Sequence, residues 1–180
     1  MNVFILNGSN RRHATSTKLT TYIGRLLAEM DIEVTVFDLY GKPLPFYSPD
    51  EDAEDANVHE MREAAGRADA IILATPDYHG SLSGVLKNAL DFLGKDQFDS
   101  KLVLSVSSAG GAVGTSSLTH MQAIVRNVHG VNCPEWISIG AEQRRFGPDG
   151  EPEQDKVKER VKRVLHYFVG LARQLRGIDS

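Results

Sequence analysis

Apolar residues alternate between two kinds of pattern along the 180-residue chain. Short runs rich in Val, Ile and Leu occupy residues 2–7, 33–38, 70–75, 102–107 and 135–139, and runs of this composition predict five β-strands. Between them the spacing changes. Leu19, Tyr22, Ile23, Leu26, Leu27 and Met30 recur at helical intervals, which predicts an amphipathic helix beginning at about Ser16. Leu118, Met121, Ile124, Val125 and Val128 repeat that period, as do Val157, Val161, Val164, Leu165, Phe168, Leu171 and Leu175. A weaker pattern spans residues 56–68. The segment SGVLKNALDFL from Ser83, with Val85, Leu86, Ala89, Leu90 and Leu93 on one side, completes five helices.

Strict alternation of strand and helix argues a parallel sheet, because each parallel connection needs a crossover and right-handed crossovers cover both faces with helices. The expected class is therefore doubly wound α/β, with five strands in the flavodoxin-like order 2-1-3-4-5. In that order ligands sit beyond the carboxyl ends of strands one, three and four. A single domain over residues 1–180 is expected from the length. The acidic stretch PDEDAEDANVHE from Pro49 reads as a solvated helix start, and GPDG at 147–150 as a turn before the last helix.

Composition narrows the function. Hydrophobic content of 41% with 24% charged residues is that of a globular protein, and no apolar run approaches the roughly 18 residues of a spanning helix. The opening MNVFILNGSN has no basic leader and reads as a first strand, so a membrane or secreted location is not expected. Cys133, alone, permits no intrachain disulfide and suits a reducing cytoplasm as a structural thiol. A net charge of -4, with no basic stripe interleaved with aromatics, argues against nucleic acid and for small molecules.

Candidate chemistry lies in the three loops that the topology singles out. Strand one runs into GSNRRHATSTKLT, where hydroxyls of Ser9, Thr15, Ser16 and Thr17, a helix N-terminus and Arg11 or Arg12 form an anion site. The alternative is that Ser16 or Thr17 merely caps the helix. His13 stands where a P-loop needs its second glycine, and there is no GxGxxG, which disfavours ATP, GTP and a Rossmann-bound dinucleotide. Many donors around one point favour a terminal phosphomonoester, such as that of flavin mononucleotide (FMN). Strand three leads into TPDYHGSLSG, where Pro76 and Gly80 are expected to shape a backbone with N–H groups free for a ligand, beside Tyr78. Strand four ends in SVSSAGGAVGTS, whose small residues let flat rings approach. No G-x-S-x-G elbow, H-E-x-x-H or clustered metal ligands occur, so neither a catalytic side chain nor a metal is assigned.

These loops resemble the NADPH-dependent FMN reductase family. GSNRRHATSTKL is similar to its GSxR with a following Ser-rich stretch, PDYHGSLSGVLKNALDFL to its P-E-Y-N-G-S-x-P-G-x-L-K-N-x-L-D, and SSAGG to its Ser/Thr-x-G-G loop. The resemblance implies a phosphate at Ser9, Arg11, Ser16 and Thr17. It implies a flavin ring against Pro76, Asp77, Tyr78, His79, Gly80 and Ser81, and against Ser108, Gly110 and Gly111. Asp77, His79 and Ser83 depart from the family's Glu, Asn and second Pro. Hydride is then expected to pass from NADPH, or NADH, through FMN to a small acceptor: a flavin, quinone, azo compound or chromate. A flavodoxin-type carrier without nicotinamide activity is the alternative. Lys87, Asn88 and Asp91, with PLPFYSPDED after strand two, look like family segments that meet a neighbouring subunit, which implies a homodimer or homotetramer.

Overall fold

The computed structural model describes residues 1–51 and 55–177, so the middle of the acidic stretch lies outside the described residues. Parallel strands β1 (Asn2–Asn7), β2 (Glu33–Asp38), β3 (Ala70–Pro76) and β4 (Leu102–Ala109) stand in the order 2-1-3-4, as expected. The fifth position differs. Two short strands, β5 (Val131–Asn132) and β6 (Ile137–Gly140), both pair with β4, in registers Leu102↔Val131 and Val106↔Ile137. Pro134, which has no N–H to give a ladder, stands between them, so one expected strand becomes two.

Alternation along β1 sends Val3 and Ile5 to one face and Phe4 and Leu6 to the other. The first face packs under α1 (Thr15–Glu29) and α6 (Asp155–Arg176), whose Leu19, Ile23, Val161 and Phe168 are fully buried. The second packs under α2 (Ala56–Arg67), α3 (Gly84–Asp91) and α5 (Thr115–Asn127) through Met61, Leu86 and Met121. β3 and β4 are buried along their whole length, as strands covered on both faces must be. Helix α3 stops at Asp91, short of the expected apolar run, and a one-turn α4 (Lys95–Phe98) follows. Asp55 caps α2 by accepting from the Asn57 and Val58 N–H groups, which bears out the helix start at the end of the acidic stretch. Residues 147–150 form the expected turn, with Gly150 N–H donating to Gly147 O at 2.9 Å. Cys133 is buried, and burial pushes its thiol pKa up, away from reactive thiolate. Among the described residues no helix is long and apolar enough to cross a membrane.

Candidate functional site

The chain leaves β1 through Gly8. A Cβ there would stand 2.6 Å from Ala74 O and 2.6 Å from Leu86 Cβ, so only glycine lets β1, β3 and α3 close together. Gly8 N–H donates to Ala74 O at 2.8 Å, and Gly8 O accepts from Ser83 Oγ at 2.6 Å. Ser9 is buried, and its Oγ accepts from Arg11 N–H at 3.2 Å, which turns the loop. Helix α1 starts at Thr15, one residue before the expected Ser16, behind Ala14, which offers no side-chain cap. Ser16 and Thr17 therefore lie inside the first turn and neither is the N-cap.

Ser16 is 1% exposed and its Oγ has no hydrogen-bond partner. Such an orphan costs about 1–3 kcal/mol, which an acceptor bound at the helix N-terminus would offset. Thr17 is half-buried. Of the two arginines, Arg12 is engaged, its Nε donating to Tyr40 Oη at 3.1 Å, whereas exposed Arg11 makes no ion pair among the described residues.

Pro76 ends β3 opposite Ser108, and Asp77 N–H continues the ladder to Ser108 O at 2.7 Å. Tyr78 and Ser81 then pair across a two-residue turn, with N–H···O distances of 2.9 and 3.2 Å. His79 and Gly80 have φ of 55° and 76°, the two positive values of a type I′ turn. That geometry favours Asn-Gly and tolerates His at its first position, so the departure at His79 is a matter of backbone conformation.

Asp77 is likewise accounted for. One carboxylate oxygen accepts from Gly80 N–H at 3.1 Å and the other from Ser117 Oγ at 2.5 Å, which fastens the hairpin to α5. Ser81 Oγ meets His120 Nδ1 at 3.0 Å and adds a second fastening. The expected supply of free N–H groups is largely absent. Those of Asp77, Tyr78, Gly80 and Ser81 are all satisfied within the protein, because the loop closes on itself as a hairpin. Tyr78, 43% exposed, presents the loop's aromatic surface.

The loop after β4 is braced from beneath. Ser107 Oγ lies 3.0 Å from both Gly114 O and Ser138 Oγ, and Gly114 N–H donates to Ser138 Oγ at 2.9 Å. Gly140, at the end of β6, supports Gly111 and Ala112 so closely that a Cβ would stand 2.2 Å from Gly111 O. Gly110 and Gly111 are the opposite case. No protein atom lies within 4 Å of a Cβ built on either, and neither has positive φ. Neither packing nor backbone conformation demands these glycines, and they leave open space beside Ser108. Ser108 itself is buried, its carbonyl engaged by Asp77.

Sequence reasoning names Ser83 as the start of a helix segment and a departure from the family's second Pro, and misses its bonding role. It caps α3 by accepting from Leu86 N–H at 3.1 Å, donates to Gly8 O, and receives its own N–H bond at Thr75 Oγ1, 2.9 Å away. One side chain thus ties the first loop to the third strand's loop. A serine directly before the apolar GVLKNAL period is the N-cap signal that marks it.

An uncapped helix start with an orphan buried hydroxyl, an exposed aromatic hairpin and two open glycines share the carboxyl edge of one parallel sheet. That combination defines a flavodoxin-like binding protein suited to a ligand with an anionic end and a flat body, and FMN fits it. Residues 1–143 match the NADPH-dependent FMN reductase family, and the chain belongs to that family. An FMN-dependent NADPH-azoreductase of Staphylococcus aureus is 38% identical over 143 residues, 77% of this chain and 76% of the relative. Among solved structures, FerB, a flavoenzyme NAD(P)H:(acceptor) oxidoreductase from Paracoccus denitrificans, shares the fold with a TM-score of 0.81. It is 21% identical, over 96% of this chain and 97% of that one. An NADH:FMN oxidoreductase in its apo form shares it at 0.75 and 20% identity, over 94% and 89%. The protein is thus an FMN-dependent oxidoreductase that takes electrons from NADPH and passes them to an acceptor, a reading favoured over the flavodoxin-type carrier.

Proposed function

We propose that this enzyme reduces planar aromatic acceptors, azo compounds and quinones, with its FMN held by the three loops described above. The observation that carries the assignment of the site is the orphan Ser16 hydroxyl beneath an uncapped helix start. Ser16, Thr17, the first N–H groups of α1 and Arg11 bind the phosphate, and the buried turn at Ser9 shapes the loop around it. The Pro76–Ser81 hairpin forms one wall for the ring, with Tyr78 as its aromatic surface and Asp77 holding its shape. Ser108, Gly110 and Gly111 form the other and leave room for a second flat molecule. FMN supplies the redox chemistry when bound, and the chain's residues orient it and exclude water. The 38% identity to an azoreductase supports an azo acceptor over free flavin or chromate.

Phe46 is 94% exposed on a segment held in place by Asn88, which donates to Pro45 O at 2.8 Å and accepts from Tyr47 N–H at 2.9 Å. A rigidly presented aromatic is a poor surface for a monomer, and we assign it to a homodimer contact, with pairing into a tetramer as the next level. A single buried thiol suits a cytoplasmic enzyme. Anaerobic NADPH should bleach the absorbance of the FMN-loaded protein, and an azo dye or a quinone should restore it. Absence of bleaching would sink the site assignment and the acceptor proposal together. Phe46→Asp should halve the mass measured by light scattering.

A further inference from the structure

Away from the three loops, a groove of about 660 Å³ is lined by Gln143, Lys156, Val157, Glu159, Arg160 and Arg163. Lys156, Arg160 and Arg163 are spaced by four and three residues, so they share one face of α6. None of the three makes an ion pair among the described residues, and with Glu159 on the same groove the cations are in excess by two, three positive charges against one negative. Arg160 is pre-positioned, with one terminal nitrogen donating to Ser138 O at 2.7 Å and to Gln143 Oε1 at 3.2 Å. Its Nε is buried without a partner. Burial and the Arg163 charge both pull the Arg160 pKa down, yet a guanidinium stays charged, so the repulsion persists in the protein alone.

The groove adjoins the catalytic edge. Gln143 lies in the short 3-10 helix Ala141–Arg144, whose first N–H donates to Gly111 O at 2.9 Å. Of the other arginines near that edge, Arg145 pairs with Glu142, Arg144 Nε donates to Ala141 O, Arg12 meets Tyr40, and Arg11 is taken by the FMN phosphate in the reading above. The three groove cations all lie beyond residue 143, where the family match ends.

We propose that this groove holds the 2′-phosphate end of NADPH, with Lys156, Arg160 and Arg163 as its specificity-determining residues. The proposal rests on the nicotinamide-dependent reading above. A phosphate dianion supplies the negative charge that none of the three cations finds in an ion pair, together with acceptor oxygens for Lys156 and Arg163, and NADH has no such group. The site would therefore set the preference between the two cofactors without touching the reacting ring.

Calorimetric titration of the FMN-loaded protein with 2′,5′-ADP, 5′-AMP and inorganic phosphate tests it. 2′,5′-ADP should bind about tenfold more tightly than 5′-AMP. Arg163→Ala and Lys156→Ala should each weaken 2′,5′-ADP by about five- to tenfold, with FMN content and 5′-AMP binding unchanged. The KM for NADPH should rise while that for NADH stays put. Equal binding of 2′,5′-ADP and 5′-AMP, or no effect of Arg163→Ala, overturns the proposal. Inorganic phosphate binding as tightly as 2′,5′-ADP overturns it too, by reducing the groove to a general anion site. Arg163-dependent binding of 2′,5′-ADP by a protein that NADPH fails to bleach would leave the groove standing and remove the reductase site instead.

Discussion

The two ends of the sheet treat polar groups in opposite ways. At the amino end Lys101, just before β4 and 5% exposed, gives its ammonium to Ala65 O and Gly66 O, both at 2.7 Å, and so closes the carboxyl end of α2. At the carboxyl end α1 starts uncapped over an orphan serine, and Gly110 and Gly111 border open space. Both ends hold buried polar atoms beside a helix terminus. Lys101 finds its acceptors within the chain and serves the chain's own stability, whereas the Ser16 hydroxyl finds none, and in the reading proposed above its partner is the FMN phosphate.

Four substitutions press on this contrast. Gly140→Ala should cost the most, about 3 kcal/mol, because its methyl would meet two backbone oxygens that cannot retreat without moving the Gly111 loop. Chemical denaturation would show the loss, and an unchanged midpoint would mean that the brace is soft. Lys101→Met should cost about 2 kcal/mol by stranding two carbonyls, with FMN affinity intact.

Lys101 also carries a pH signature. Burial, aided by Arg176, lowers its pKa from 10.5 to about 8. Between those values the unfolded chain keeps a proton that the folded one has released, so stability should rise with pH over that window. Lys101→Met should flatten the rise, and a wild-type stability that falls instead would contradict it.

Ser16→Ala is the mirror experiment. It should weaken FMN by about tenfold in fluorescence titration while leaving thermal stability of the apoprotein unchanged or slightly higher. A destabilised apoprotein with normal FMN affinity would erase the distinction between the two ends. The smallest effect is expected at His79→Asn, a gain of about 0.5 kcal/mol from a residue better suited to positive φ.

Much of this was legible in the sequence because periodicity reports burial directly. The buried runs of β1, β3 and β4 and the helical stripes of α1, α5 and α6 yield the layer order without further information. The fifth strand was not, because 135–139 is apolar enough to read as one strand. The preceding pair at Val131 and Asn132 is too short to show a pattern. Within the site, the loops were visible as breaks in periodicity, but their internal bonding was not. Asp77 stands out as a departure from the family's Glu until Ser117 and the Gly80 N–H are seen to take up both its oxygens. His79 stands out as a departure from the family's Asn until its positive φ shows a turn position that accepts either residue. Local sequence tells where a backbone turns, whereas a partner forty residues away decides what a side chain is for.

Ser83 and Gly8 together make one side of the mouth of the site a rigid unit. The first loop, the end of β3 and the start of α3 are joined by contacts too close to slide, so they move as one jaw. The opposite side is held as well, with Gly111 O accepting from Ala141 N–H directly above Gly140. With both sides fixed, the slot between them has a width set by the fold, so flat acceptors should be sorted by thickness, and turnover should fall steeply with bulky ones.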